Sequence, residues 1–166
     1  MPQLPIPDDS RIKALFRELL QDAFAGLDGP VTEDVEDYVL MLLVDSLRVD
    51  SRLDLLSPDG QRVSSVVELI EWCEVNLRAE SFDVERAARV KIGDYVLFWS
   101  GANPRVLGGS PSAYRQLGKE SYYVASLFEH RPYSDMAPTF SRLSQRFDEV
   151  ADSIQRVYSS LRSFEA

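Results

Sequence analysis

Residues 140–161 read FSRLSQRFDEVADSIQRVYSSL. Phe140, Leu143, Phe147, Val150, Ile154, Val157 and Leu161 recur at spacings of 3, 4, 3, 4, 3 and 4. This is an unbroken apolar heptad seam with polar residues between its members, the pattern of one amphipathic helix. Such a seam has to lie against other helices. It sets a helical architecture and marks these seven residues as a contact surface. Pro138 and Thr139 stand near the start of the helix, where proline is tolerated. Arg146, a polar position between seam residues, is expected to be exposed and to tolerate alanine.

Upstream, the same period recurs. Ile12, Leu15, Phe16, Leu19, Leu20, Ala23, Phe24 and Leu27 form a stripe behind Ser10, an expected N-cap. Asp28-Gly29-Pro30 then stops the helix. A second helix begins near Thr32. Glu33, Asp34, Glu36 and Asp37 crowd its first turns, where the helix dipole favours negative charge. Its middle, Tyr38 to Val44, is apolar on every side, so it is central in a bundle or covered by a partner. Ser57-Pro58-Asp59-Gly60 signals a turn. Ser65 and Glu68 make a capping box for a third helix lined by Val66, Leu69, Ile70, Cys73 and Leu77.

Asp83 can cap a fourth helix running to about Ser100, with Ala88, Ile92, Tyr95, Val96 and Trp99 as its stripe. Gly101, Asn103 and Pro104 end it. Ser110-Pro111 opens a fifth helix that reaches towards Glu129. Tyr114, Leu117, Val124 and Phe128 are expected inward on it. Gly118, Ser121 and Ala125 recur on a nearby face, so another helix can approach closely there. Arg131-Pro132-Tyr133 separates it from the heptad helix. No segment alternates apolar and polar residues as strands require. The expected architecture is all-α, a single-domain bundle of about six helices over residues 10–166, behind an extended proline-rich leader at 1–9.

The chain has 166 residues, 45% hydrophobic and 27% charged, which fits one soluble domain with a real core. No apolar stretch approaches the length of a membrane span. The leader lacks the basic and apolar regions of a signal peptide, and the one cysteine, Cys73, excludes an intrachain disulfide. A cytoplasmic location is the default expectation. The net charge of −9 argues against nucleic acid and anionic membranes as partners. Residues 1–83 carry 18 acidic and 7 basic side chains, net −11; residues 84–166 carry 9 and 11, net +2. If the halves fold together, opposite charges help orient them.

Chemistry-bearing motifs are sparse. His130 is the only histidine, and it sits at an expected helix C-terminus, where it can cap free carbonyls. One His and one Cys cannot build a zinc site, and Leu127 stands where a di-iron Glu-x-x-His motif needs its glutamate. The acidic stretch Asp45 to Asp59 has the wrong spacing for a calcium loop. No metal or cofactor is expected. Gly108-Gly109-Ser110, with Arg105, Arg115 and Lys119 nearby, could hold an anion at a helix N-terminus, but it lacks the P-loop ending and reads as loop plus cap.

The most unusual stretch is Ile92 to Pro104, which puts a carboxylate, three aromatics and an interior glycine on one helix. A glycine there costs about 1 kcal/mol relative to alanine, so it points to close packing or a functional need. With Tyr114, Lys119 and Tyr122 on the next helix, Asp94, Tyr95 and Trp99 outline either a structural polar network or an aromatic pocket for a small ligand. Lys119 is the expected partner of Asp94. Gly93-Asp94-Tyr95-x-Leu97-Phe98-x-Ser100-Gly101-x-x-Pro104, followed by Tyr114, Gly118-Lys119 and Ser121-Tyr122, resembles a family of uncharacterised bacterial proteins over about residues 90–150. The resemblance implies a bacterial soluble protein and brings no activity, cofactor or catalytic residue.

Two functions from different classes fit. The first is a non-enzymatic helical module acting through protein contacts, with itself as a homodimer or with another protein, using the seam and the all-apolar second helix. The second is a small-ligand binding or sensing domain with an aromatic pocket between the fourth and fifth helices. A buried cavity enclosing Asp94 would favour the second or an enzyme, and a filled core there, with a broad apolar patch elsewhere, the first. An enzyme would have only Asp94, Lys119 and a tyrosine as acid–base groups.

Overall fold

The computed structural model describes residues 9–47, 65–76, 82–128 and 134–164. Among them the chain is all-α. In chain order it forms α1 (Asp9–Ala25), α2 (Glu33–Asp45), α3 (Val66–Asn76), α4 (Phe82–Ala102), a 3-10 turn (Pro104–Val106), α5 (Pro111–Ser126), α6 (Ala137–Gln145) and α7 (Phe147–Phe164). Expectations for the leader before Asp9, the 57–60 turn, the Cys73 side chain, Leu77, His130 and the 131–133 break lie outside the described residues; α4 already begins at Phe82, so Asp83 is a helical residue and not the cap.

The longest helix, α4, is the hub. It packs against α5, α7, α3 and α2, while α1 lies along α2 and α7. One apolar core runs through all seven helices, from Phe16 and Leu20 on α1 to Val157 on α7. The expected central helix is enclosed. Val39, Leu40, Leu42, Leu43 and Val44 of α2 are at most 5% exposed, and Met41 is the apolar residue it turns outward.

The heptad seam is not one helix. It breaks at Arg146, whose backbone leaves the helical region (φ −109°, ψ 22°), and the two segments become α6 and α7. The seam still functions as one surface. Phe140, Leu143, Phe147, Val150, Ile154 and Val157 are at most 2% exposed, and Leu161 is half-buried against the same core. These side chains are enclosed by the chain itself.

Arg146 is likewise not a neutral surface residue. Its guanidinium donates to the carbonyls of Pro30 (2.7 Å), Asp28 (3.1 Å) and Gly29 (3.4 Å), and it pairs with Glu149. The α1–α2 turn presents carbonyls that no helix satisfies, and one planar fork gathers them. That turn also begins sooner than the sequence suggests. Helix α1 ends at Ala25, and Leu27 lies beyond it. At the other end α1 already includes Asp9 and Ser10, so Ser10 is a helical residue and not the cap. Gly29 takes the left-handed conformation expected of it (φ +82°).

On α5 the inward face differs from the expected one. Tyr114, Leu117, Val124 and Phe128 are only half-buried. The buried positions are Gly118, Ser121, Tyr122, Ala125 and Ser126. The glycines on α4 and α5 make room for large rings from neighbouring helices, Tyr122 of α5 against α4 and Phe147 of α7 against α5. A Cβ at Gly118 would overlap the Phe147 ring, and one at Gly93 would lie 2.6 Å from the Tyr122 ring. Small residues leave the space that these large rings fill.

The acidic and basic halves meet across the fold. Asp34 at the start of α2 accepts from Thr139 (2.8 Å) and Arg142 (2.6 Å) of α6. Within the acidic half, Arg17 on α1 pairs with Glu36 and Asp37 of α2, both at 3.0 Å. Opposite charge thus helps dock α6 on α2, as the uneven charge distribution suggests.

Candidate functional site: the Asp94 cleft

The in-helix glycine explains itself at the centre of the molecule. Gly93 leaves room on α4 for the Tyr122 ring, and the next residue, Asp94, meets that tyrosine's hydroxyl. Asp94 is 3% exposed. Its Oδ1 accepts from Tyr122 of α5 at 2.8 Å and from Tyr38 of α2 at 2.6 Å. A carboxylate withdrawn from water is costly unless hydrogen-bonded, and two phenolic donors on one oxygen provide that. Three helices therefore converge on one side chain.

Aromatic rings wall this centre. Phe140 of α6 stacks on Tyr122 (centroids 5.8 Å, planes 13° apart) and meets Tyr38 edge-on at 5.6 Å. Phe147 closes the far side of Tyr122 at 6.0 Å. The Arg86 guanidinium lies over the Phe140 ring, 5.4 Å from its centroid, within the range of a cation–π contact.

An open cleft of about 360 Å³ runs past this centre between α2, α4 and α6. Tyr38, Arg86, Val90, Lys91, Asp94 and Phe140 line it, with Ala87 and Met136 at its sides. Helical spacing puts Ala87, Val90, Lys91 and Asp94 on one face of α4. The cleft thus combines apolar and aromatic walls with two cationic side chains and a buried carboxylate.

The sequence-predicted site residues separate into three places. Asp94 and Tyr122 meet, with Tyr38 as the added partner. Tyr95 and Trp99 lie half-buried along α4, their rings 6.4 Å apart. Burial pushes the Tyr95 phenol above its ordinary range, and Tyr114 nearby pushes it the same way. Lys119 does not reach Asp94. It pairs with Asp148 of α7, which also binds Arg115 at 3.3 Å, and Arg115 continues to Asp152 at 2.8 Å. Burial would raise the Asp148 carboxyl, but hydrogen bonds from Lys119 and Arg115, with their charges, outweigh it and hold it below the usual range. The acid–base pair expected of Asp94 and Lys119 is therefore not formed, because two carboxylates on α7 are better placed for the α5 cations.

This network also removes Arg115 and Lys119 from the Gly108-Gly109-Ser110 loop. Both glycines are left-handed there (φ +69° and +60°), and Ser110 caps α5 through the Ala113 N–H at 3.5 Å. The loop shapes a helix entry. Among the described residues, no group of three or more His, Cys, Asp or Glu could hold a metal ion, and no helix is long and apolar enough to cross a membrane.

Four of the cleft's residues carried no signal as a group. Tyr38 reads as part of an apolar run and Phe140 as part of the seam. Arg86 and Lys91 read as ordinary helix-surface cations. The available clue was the tyrosine itself, since a buried phenol needs a hydrogen-bond partner and Asp94 is a candidate. No family model, curated protein or solved structure matches the chain, so its function is argued from this geometry.

Proposed function

We propose that this chain is a small-ligand binding module and that its site is the cleft beside Asp94. The supporting observation is convergence. A carboxylate fixed by two tyrosines, two cationic side chains and an aromatic wall share one concave surface of about 360 Å³. Binding sites combine apolar lining with a few fixed polar groups in this way, within a usual range of about 300–1,000 Å³. The tyrosine–carboxylate centre ties α2, α4 and α5 together, so the polar groups are positioned before a ligand arrives. The cleft lies between α2, α4 and α6, not between α4 and α5, where the Tyr122 ring packs against Gly93.

Native mass spectrometry of the protein purified from its own host tests the reading. A retained small molecule is expected, and Val90→Trp, which fills the cleft, should remove it. A bare-chain mass, together with no compound in a host metabolite extract raising the melting temperature, would count against it.

A second reading, protein contact, is favoured by one observation. Tyr123 and Leu127 at the end of α5 are 57% and 58% exposed and border a groove of about 470 Å³ with Ala137 and Pro138. The seam and α2 are enclosed, so a partner would engage this end of α5. Leu127→Glu should then abolish any complex isolated from the host while leaving the melting temperature unchanged.

A further inference from the structure

We infer that the bend at Arg146 is an exchange hinge. When it straightens, α6 and α7 become one helix, and α7 passes to the equivalent site of a second copy of this chain, which gives up its own α7 in return. The Asp94 cleft plays no part in this exchange.

The bend has no cause in its own residues. Sharp breaks in helices usually mark a proline, a glycine or an inserted group. Residues 144–149 read SQRFDE, with neither proline nor glycine. The apolar spacing of 3 and 4 runs straight through them, so the same sequence fits one amphipathic helix over 137–164. The hydrogen-bond ladder is interrupted only locally. The Arg146 N–H still donates to the Arg142 carbonyl at 2.9 Å, and the Val150 N–H donates to the Arg146 carbonyl at 3.0 Å. Between them, the helical bonds from Phe147 to Leu143 and from Glu149 to Gln145 are not made. Straightening the chain restores both.

What differs on the two sides of the bend is packing. Helix α6 lies on α5 and α2, and α7 lies on α4 and α1. A single residue thus joins two helices held by different neighbours. Short hinges of this kind favour exchange between copies, because the hinge loses its bend and the exchanged element keeps its contacts. The α7 site is shaped to α7's own side chains. A Cβ at Gly101 of α4 would lie 2.5 Å from the Cβ of Ile154, and Val150, Ile154 and Val157 are at most 1% exposed. The occupant that fits is α7 itself, from this copy or from another.

Refolding the full chain from urea at micromolar and at millimolar concentration, followed by sedimentation, tests the hinge. Dilute refolding should give monomer, and concentrated refolding a dimer that persists on dilution. Arg146→Ala should raise the dimer fraction severalfold, because alanine favours the helical conformation and lacks the fork that meets residues 28–30 in the bent form. Asp148→Pro should abolish the dimer, since proline is tolerated in the first turn of α7 but not inside a continuous helix. Amide exchange distinguishes an exchanged dimer from a surface contact and depends on neither variant. In the wild-type dimer the Phe147 and Glu149 amides should exchange manyfold more slowly than in the monomer. No dimer from wild type or Arg146→Ala after concentrated refolding overturns the hinge. A dimer whose exchange at residues 147 and 149 is unchanged overturns it too, as does Asp148→Pro dimerising as readily as wild type.

Discussion

Asp94 tests how one buried carboxylate holds three helices. Removing a single donor by Tyr122→Phe should cost about 1.5–3 kcal/mol, the range for a hydrogen bond to a charged group. Asp94→Ala should cost more, because it leaves two phenols without their acceptor and opens a void beside Phe140. The two changes act on one network, so in urea unfolding the Asp94→Asn and Tyr122→Phe losses should fall short of adding. Strict additivity would mean that the 2.8 Å contact contributes nothing. Part of this centre was legible in the sequence. Gly93-Asp94 stood out because an interior glycine beside a carboxylate is unfavourable without a reason. The identity of the partner was not legible. Lys119 is the more attractive ion for Asp94 on charge alone, but its position on α5 points it at α7, and that depends on a packing angle that spacing cannot supply.

At the scale of elements, Arg146 changes from a spacer to a fastener. Arg146→Ala should destabilise the chain by about 0.5–1.5 kcal/mol, since it replaces the donor to the exposed Asp28, Gly29 and Pro30 carbonyls by water. Arg146→Lys should recover little of this, because an ammonium cannot span carbonyls that a fork spans. Equal urea midpoints for Arg146→Ala and wild type would exclude the role. The α2–α6 contact has a pH signature. Burial acts to raise the Asp34 carboxyl, but hydrogen bonds from Thr32, Thr139 and Arg142, and the Arg142 charge, bring it from an ordinary 3.8 down to about 2. A depressed carboxyl stabilises the fold above its unfolded value and loses that contribution as pH falls to its folded value. The stability gap between wild type and Asp34→Asn should therefore be full at about pH 5 and close towards about pH 2. With the side chain 34% exposed, solvent screening limits the charge contribution to about 1 kcal/mol. A gap independent of pH would show that the pairing does not survive in solution. Helix existence was readable from the apolar period, but the break at Arg146 was not. The seam's spacing continues unchanged through it, and the carbonyls that Arg146 meets there lie more than a hundred residues away.

For the whole molecule, the enclosure of α2 and of the seam predicts that core mutations act within one chain. Ile154→Ala should cost about 2–5 kcal/mol, because its neighbours on α4 and α7 leave no room to collapse. Sedimentation at micromolar concentration should give the same mass for wild type and for this variant while it stays folded. A drop in mass would place Ile154 at a boundary between chains. The all-α architecture was legible because six apolar stripes shared one period. Which helix lies at the centre was not, since α2's uniform apolarity marks enclosure and not position, and the hub proved to be α4. The grip of Arg146 on residues 28–30 also bears on the order in which the protein can be made. A ribosome adding about 5–20 residues per second releases α2 well before α6 and α7 exist. For roughly 5–20 seconds, the nascent chain carries Val39 to Val44 without the helices that later dock on its acidic start. Early in synthesis those apolar residues lack the cover that the finished fold gives them, and the chain's own last helices complete it.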